Sequence, residues 1–174
     1  MPAPTVATGR ELVWQKVPGV SRARAIVIDG ETWVRLRRVK VLGSLATVEA
    51  ASGSWTLKRV GWFRTRVTVR MAGSAEDLAE FTPNWLGASG TLAFADGRSY
   101  RWACTKSFGR EHTLFRADGQ AVLRFRGGQR LTLETTDGES DLPLLASICH
   151  YLLQLEREDT AVVAAAAGAA AAAG

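Results

Sequence analysis

Residues 141–159, with the sequence DLPLLASICHYLLQLERED, decide the fold of this chain. Residues 139–141 supply the acidic and hydroxyl groups that cap helix N-termini, and Pro143 suits a first helical turn. From residue 142 to residue 155 the segment is nearly all apolar, and its apolar residues cover every direction around a helix axis. A helix of that kind has to be surrounded by protein or by lipid.

The length of this helix separates the two environments. Residues 142–155 make a helix of about 21 Å, whereas a bilayer span needs roughly 20 apolar residues. The charged residues 156–159, with the sequence ERED, then end the apolar run. We therefore predict that the helix is buried inside the protein and that the chain has no transmembrane segment.

The rest of the chain is dominated by short runs in which apolar and polar residues alternate, the pattern of half-buried β-strands. Asp-Gly pairs, which favour tight hairpin turns, begin at positions 29, 96, 118 and 137. Hairpins are therefore expected throughout. We predict about a dozen strands, at residues 11–17, 23–28, 32–39, 45–50, 55–60, 63–70, 78–81, 90–95, 99–105, 112–116, 121–126 and 130–135.

Together these patterns predict a mainly β fold, a closed antiparallel barrel of about twelve strands around the central hydrophobic C-terminal helix. Closure removes exposed sheet edges, and a barrel of more than about eight strands leaves an interior too wide for its own side chains to fill. The apolar helix is suited to fill that space. We assign residues 9–159 to this one domain, and the Ala-rich residues 160–174 to a disordered tail.

Several classes of protein are disfavoured by the sequence. Residues 1–20 lack the apolar stretch of a signal peptide, so we expect a cytoplasmic protein. Cys104 and Cys149 are too few for a disulfide framework, and they share no metal-site spacing with His112 or His150. Because we find no catalytic motif either, we expect neither an enzyme nor a cofactor.

Charge is distributed unevenly along the chain. Residues 1–74 carry 13 Lys+Arg and 4 Asp+Glu, a net charge of +9, whereas residues 75–174 carry 9 and 13, a net charge of −4. A basic half attracts phosphate-bearing partners such as an anionic membrane surface or nucleic acid. The same charges are also compatible with a solvated outer face that has no partner.

The candidate binding residues are basic side chains in the predicted strands of this half. Because alternate residues of a strand share a face, Arg35 and Arg37 are predicted to point outward together, as are Arg64 and Arg66. Arginine can bind phosphate oxygens bidentately. The predicted site for an anionic head group or phosphate comprises Arg35, Arg37, Arg38, Lys40, Arg64, Arg66 and Arg70.

Tryptophans offer a second feature of the basic half. Trp33, Trp55, Trp62 and Trp102 lie close to basic residues in the sequence, and aromatic rings interleaved with arginine can stack on nucleobases. Tryptophan in a β domain is more often a large part of the core, which is the role that we expect here.

A strand-rich body that ends in one very hydrophobic helix, residues 141–159, followed by an alanine tail, resembles the tubby-like superfamily, in particular its small LURP-one-related proteins. The resemblance spans about residues 12–158 and rests on architecture and on the helix. It implies a twelve-stranded closed barrel around a buried helix, shared with phospholipid scramblases and with tubby proteins that bind phosphoinositides through basic side chains. No ligand motif of that family can be placed on this sequence residue by residue.

We therefore expect a non-enzymatic cytoplasmic module that binds anionic phospholipid head groups at a membrane surface through a basic outer face. Two alternatives remain open: a nucleic-acid-binding domain that uses the same Arg and Trp face, and an interaction protein with no small ligand.

Overall fold

The computed structural model describes residues 6–39, 44–61, 65–84, 89–106, 111–139 and 141–172. Within these ranges the chain forms thirteen β-strands and one α-helix. The elements are β1 (Glu11–Val13), β2 (Gln15–Lys16), β3 (Ala23–Ile28), β4 (Glu31–Arg38), β5 (Ala46–Ala50), β6 (Gly53–Val60), β7 (Arg66–Met71), β8 (Ala79–Pro83), β9 (Gly90–Phe94), β10 (Ser99–Lys106), β11 (Glu111–Arg116), β12 (Ala121–Arg126), β13 (Arg130–Leu133) and α1 (Leu142–Ala172).

The strands belong to one antiparallel sheet that forms a nearly closed barrel. From β3 to β13, strands that follow one another in the chain are paired. The N-terminal segment closes the barrel, because β1 pairs with β13 while β2 pairs with β3. Between them Trp14 donates its backbone N–H to the carbonyl of Gln129 at 3.0 Å. The predicted barrel is confirmed, and the strand predicted at residues 11–17 is two short strands because its halves pair with opposite ends of the sheet.

The β3–β4 hairpin shows how the turn residues set the strand ends. Asp29 and Gly30 both have positive φ, 53° and 86°, which is the combination that a type I′ turn requires. β3 accordingly ends at the predicted residue, and β12 also has its predicted bounds. Two residues of the strand predicted at 63–70, residues 63 and 64, lie outside the described ranges.

The first half of α1 runs through the barrel and is enclosed on all sides. Every residue from 142 to 153 is buried, and Leu144, Leu145, Ile148 and Tyr151 have no exposed surface. Burying one such apolar side chain stabilises the fold by about 1.5–3 kcal/mol. The predicted central helix is therefore confirmed, and the helix and the inward-facing strand residues form one hydrophobic core.

Within the Ala-rich segment, α1 continues as far as Ala172. Alanine has the highest helix propensity, and adding residues to a helix that tertiary packing has already nucleated needs no new nucleus. Val162 and Val163 in this extension are 68% and 69% exposed. Among the described residues, no helix combines the length and the apolar character that a membrane crossing requires.

Four successive residues of α1 attach the helix to the rim where it leaves the barrel. Successive helical residues point about 100° apart, so four of them reach in four directions. We call residues 156–159 with their partners the collar. Its contacts are Glu156 with His112 of β11 at 3.2 Å, Arg157 with the Gly127 carbonyl at 2.7 Å, Glu158 with Arg38 of β4 at 2.9 Å, and Asp159 with Arg59 of β6 at 2.7 Å.

The enclosed helix makes a substitution at Ile148 decisive. Ile148→Asp places a carboxylate in the core without a partner, which costs several kcal/mol, so we expect no cooperative thermal unfolding transition. Val163→Asp, on the exposed part of the same helix, is the matched control and should melt as the parent chain does. A soluble Ile148→Asp variant with unchanged melting would contradict the enclosure of α1.

The collar should add stability that depends on salt. Glu158→Gln removes the charge that faces Arg38, whose side chain is 11% exposed, and we expect a loss of about 1–2 kcal/mol in the free energy of unfolding. Asp159→Asn breaks the more exposed pair with Arg59 and should cost less than about 1 kcal/mol. Urea unfolding at low and high salt measures both losses. Equal losses, or losses that grow with salt, would contradict this role for the collar.

Candidate functional site

The outer surface of β4, β5 and β6 brings several polar side chains into rows. Arg37 of β4 lies opposite Thr47 of β5, which lies opposite Thr56 of β6. Lys58 follows Thr56 by two residues and therefore shares its face, as Arg35 shares the face of Arg37. We call these five side chains the β4–β6 face.

The burial of neighbouring residues shows that this face points outward. Leu36, between Arg35 and Arg37, and Leu57, beside Lys58, are both fully buried in the barrel. Arg37 and Lys58 are exposed, and neither forms an ion pair with a described residue. The prediction that Arg35 and Arg37 point outward together is thus met by the register of β4.

Arg35 differs from Arg37 in its surroundings. It is half-buried and lies opposite Glu49 of β5. Arg35, Glu49, Thr32 and two alanines line a shallow, open depression on the outer surface. The buried Nε of Arg35 has no hydrogen-bond partner among the described residues. The positive charge at this point is therefore offset in part by a carboxylate on the next strand.

Arg38, also named in the predicted site, does not lie on the outer face with Arg35 and Arg37. It alternates with Arg37 and points into the barrel, where its guanidinium donates to both carboxylate oxygens of Glu158, at 2.9 and 3.2 Å. It also lies over the ring of Tyr151, 5.6 Å from the centroid. The period-two pattern of β4 reverses the direction of successive side chains, so Arg38 helps to hold the helix instead.

Arg66 and Arg70 lie on the outer face of β7, but each has a local acidic partner. Arg66 pairs with Glu80 at 3.2 Å, and Arg70 pairs with Asp77 at 2.6 Å. Each pair carries no net charge, so these two arginines attract an anion less than the open cations do. Lys40 and Arg64, the other two predicted site residues, lie outside the described ranges.

Lys58 belongs to the β4–β6 face although it was absent from the predicted site. The alternation of β6 indicates its direction, since Trp55 and Leu57 are buried and Lys58 lies on the opposite side. The sequence did not indicate that Lys58 lies near Arg37, because the proximity of β6 to β4 depends on the pairing of both strands with β5.

The described tryptophans that lie near basic residues are parts of the core. Trp33, Trp55 and Trp102 are at most 5% exposed, and Trp102 packs edge-on against Phe125 with ring centroids 5.9 Å apart. The stacking surface that a nucleic-acid site needs is therefore absent at these three positions. Trp62 lies outside the described ranges.

A second group of polar residues lies inside the barrel at the seam, by which we mean the break between β1 and β2. Trp14, at the break, is 1% exposed, and its indole stacks on the imidazole of His150 with centroids 4.4 Å apart. The side-chain amide of Gln154 donates to Nε2 of His150 at 3.0 Å. Burial, Arg24 and Arg157 together lower the pKa of His150 to about 3.

The remaining candidates for chemistry are dispersed. Cys104 and Cys149 are both free thiols, and burial raises the pKa of the Cys149 thiol well above its usual value. The described residues contain no cluster of three or more His, Cys, Asp or Glu side chains suited to a metal ion.

The buried His150 should make stability depend on pH. Its pKa is about 3 when folded and 6.5 in its ordinary state, so the unfolded chain binds a proton below pH 6.5 that the folded chain does not bind. Stability should be full above pH 6.5 and should fall, by up to about 1.4 kcal/mol per pH unit, as pH decreases from there. Urea unfolding between pH 7.5 and pH 5 measures the slope.

The control variant is His150→Phe, which keeps a flat ring against Trp14 but cannot bind a proton. Its stability should vary less with pH over the same interval. An identical slope in the two proteins would show that His150 is not the titrating group.

A comparison of the chain with protein-family models, with curated proteins and with solved structures found no match. The resemblance to the tubby-like superfamily therefore stays a prediction from the sequence.

Proposed function

We propose that this barrel is a non-enzymatic module that binds the phosphate groups of anionic phospholipids at a membrane surface, through the β4–β6 face. The observation that carries the proposal is the pair of exposed cations, Arg37 and Lys58, that have no acidic partner among the described residues. They lie two strands apart on the outside of one sheet, with the hydroxyl-bearing Thr47 and Thr56 between them.

The arrangement suits an extended anionic surface. Neighbouring strands are about 4.8 Å apart and Lys58 lies two residues, about 6.6 Å, along β6 from the residue opposite Arg37, so the backbone positions of the two cations are roughly 12 Å apart, a spacing at which separate head groups can be contacted. Each Lys or Arg near an anionic leaflet contributes about 1 kcal/mol of attraction. The barrel interior is filled by α1, so a ligand of this size fits the outer surface better than the core.

Exposed apolar residues near the same end of the barrel support a membrane partner. Val39 continues the outward alternation of Arg35 and Arg37 and is 44% exposed. The collar pair of Arg38 and Glu158 places the exit of α1 beside it. The helical extension beyond the collar adds the exposed Val162 and Val163. Cations beside apolar side chains are typical of surfaces that bind the interface of a membrane.

The nucleic-acid alternative has less support. A site that stacks bases needs exposed aromatic rings beside its cations, and the described tryptophans of this half, Trp14, Trp33 and Trp55, are buried. An oligonucleotide can still be attracted by charge alone, so it belongs in the same experiment.

The test is co-sedimentation with vesicles that contain either phosphatidylserine or neutral lipid alone. We expect binding to the anionic vesicles, and we expect the double variant Arg37→Ser, Lys58→Ser to bind about thirtyfold more weakly. The matched control is Arg101→Ser, Arg130→Ser, which removes the same charge from the outer surface of β10 and β13, across the barrel. It should keep most of the binding.

Three results would reject the proposal. The parent chain could fail to bind anionic vesicles, or the two double variants could lose binding equally, which would assign the effect to net charge. A single-stranded oligonucleotide that shifts the chain at the same salt, with no vesicle binding, would favour the nucleic-acid function.

A further inference from the structure

Two basic residues face the interior at the seam. Leu12, Trp14 and Lys16 alternate along the N-terminal segment, and Leu12 and Trp14 are buried, so Lys16 points to the same side of the sheet. Arg24 of β3 lies directly opposite Lys16 in the register, and on its other side it lies opposite Leu36, which has no exposed surface. Lys16, which is exposed, and Arg24, which is half-buried, are therefore neighbours on the inward-facing side of the sheet, at the barrel rim.

A third cation reaches the same place from the helix. His150, Gln154 and Arg157 are three and four residues apart and so share one face of α1. Arg157 donates to the Gly127 carbonyl at 2.7 Å, and its guanidinium lies so close to Gly128 that a Cβ there would collide with it. Gly128 thus allows the guanidinium to lie against the β12–β13 turn, beside the seam.

The three cations have no acidic partner among the described residues. The ion pairs of that part of the chain include none with Lys16, Arg24 or Arg157. The carboxylates that flank Arg157 in the sequence are engaged elsewhere in the collar, Glu156 with His112 and Glu158 with Arg38. Positive charge therefore accumulates at the seam instead of being neutralised there.

A buried donor in the same group also lacks an acceptor. The indole Nε1–H of Trp14 has no hydrogen-bond partner among the described residues, although the side chain is 1% exposed. Leaving such a group unpaired costs about 1–3 kcal/mol, so buried donors are nearly always satisfied. The stack of Trp14 on His150 places this indole beside the imidazole on which the charges of Arg24 and Arg157 act.

We propose that Trp14, Lys16, Arg24 and Arg157 form a binding site for a phosphate group at the seam, separate from the β4–β6 face. A phosphate monoester carries a charge of about −1.5 to −2 and three acceptor oxygens. Arg24 and Arg157 bind it from the β3 side and the helix side, Lys16 adds charge at the rim, and the indole N–H of Trp14 is the inner donor.

The phosphate belongs either to a soluble compound or to a lipid head group, because both present the same oxygens. His150 supports the indole of Trp14 by stacking, and Gln154 holds the imidazole in place through Nε2. A divalent cation is disfavoured, since the seam presents positive side chains and no carboxylate among the described residues.

Titration calorimetry of the full chain with inorganic phosphate, in chloride buffer of constant ionic strength, tests the site. We expect saturable 1:1 binding, and we expect Arg24→Gln to weaken it by about tenfold, the effect of one charged hydrogen bond. Arg101→Gln, which removes one charge from the outer surface of β10 across the barrel, is the control and should leave phosphate affinity unchanged. Absence of saturable binding, or equal affinity in Arg24→Gln, would overturn the proposal.

An indole resonance gives a second measurement that does not depend on the stability of an Arg24 variant. In a proton–nitrogen correlation NMR spectrum, the cross-peak of the Trp14 indole N–H is identified by its loss in Trp14→Phe. We expect the chemical shift of this peak to change when phosphate is added to the parent chain. Lys16→Gln should reduce the shift at a given phosphate concentration. A peak that stays fixed while phosphate binds would place the ligand elsewhere and overturn the assignment.

Vesicles of phosphatidic acid distinguish the source of the phosphate. If Arg24→Gln weakens both phosphate and vesicle binding, the seam takes a lipid head group. If it weakens phosphate binding alone, the ligand is a soluble phosphate compound. The function proposed for the β4–β6 face is tested separately. It fails if the parent chain does not bind anionic vesicles, or if the Arg37 and Lys58 variants bind them as well as the parent does, and neither result changes the phosphate titration of the seam.

Discussion

The enclosure of an apolar helix by its own sheet is the constraint on which the rest of this structure depends. A barrel with this many strands has an interior too wide for inward side chains alone, and the first half of α1 occupies it. The helix in turn has no polar face that water could solvate, so it needs the barrel as much as the barrel needs the helix. Each element supplies the burial that the other lacks.

This mutual burial explains how the arginines are used. Arg37 and Arg38 are consecutive residues of β4, so Arg37 points outward and Arg38 points inward. The inward residue pairs with Glu158 of α1. Arg59 of β6 does the same with Asp159. Two of the 13 basic residues in the first half of the chain, Arg38 and Arg59, therefore attach the helix to the barrel rim.

Two regions keep cations without an acidic partner among the described residues, and their shapes differ. The β4–β6 face is an outer sheet surface, with Arg37 and Lys58 separated by threonines, a geometry suited to several shallow contacts with a planar array of head groups. At the seam, the charges of Arg24 and Arg157 both act on His150, on which the buried indole of Trp14 stacks. Convergence of donors from three elements suits a single phosphate group.

The sequence by itself determined the class of fold and the place of the helix. Period-two alternation and Asp-Gly turns predicted the strands, and a run of residues that is apolar in every direction predicted a helix enclosed by protein. These are local signals, since the side chains of one segment carry them. The Ala-rich segment, whose low hydrophobicity predicts a disordered tail, continues α1 as far as Ala172, since alanine extends a helix that is already formed.

Only the tertiary structure decided which charged residues act together. The register of β4 against β5 and β6 brings Lys58 to Arg37, and the divided N-terminal strand brings Lys16 to Arg24 and Trp14 to His150. These neighbours are far apart in the chain, and their contact depends on strand pairing and on the rotation of α1 in the barrel. The sequence identifies the cations and predicts the face of the strand on which each lies. The ion pairs formed in the folded chain determine which of these cations remain available to a ligand.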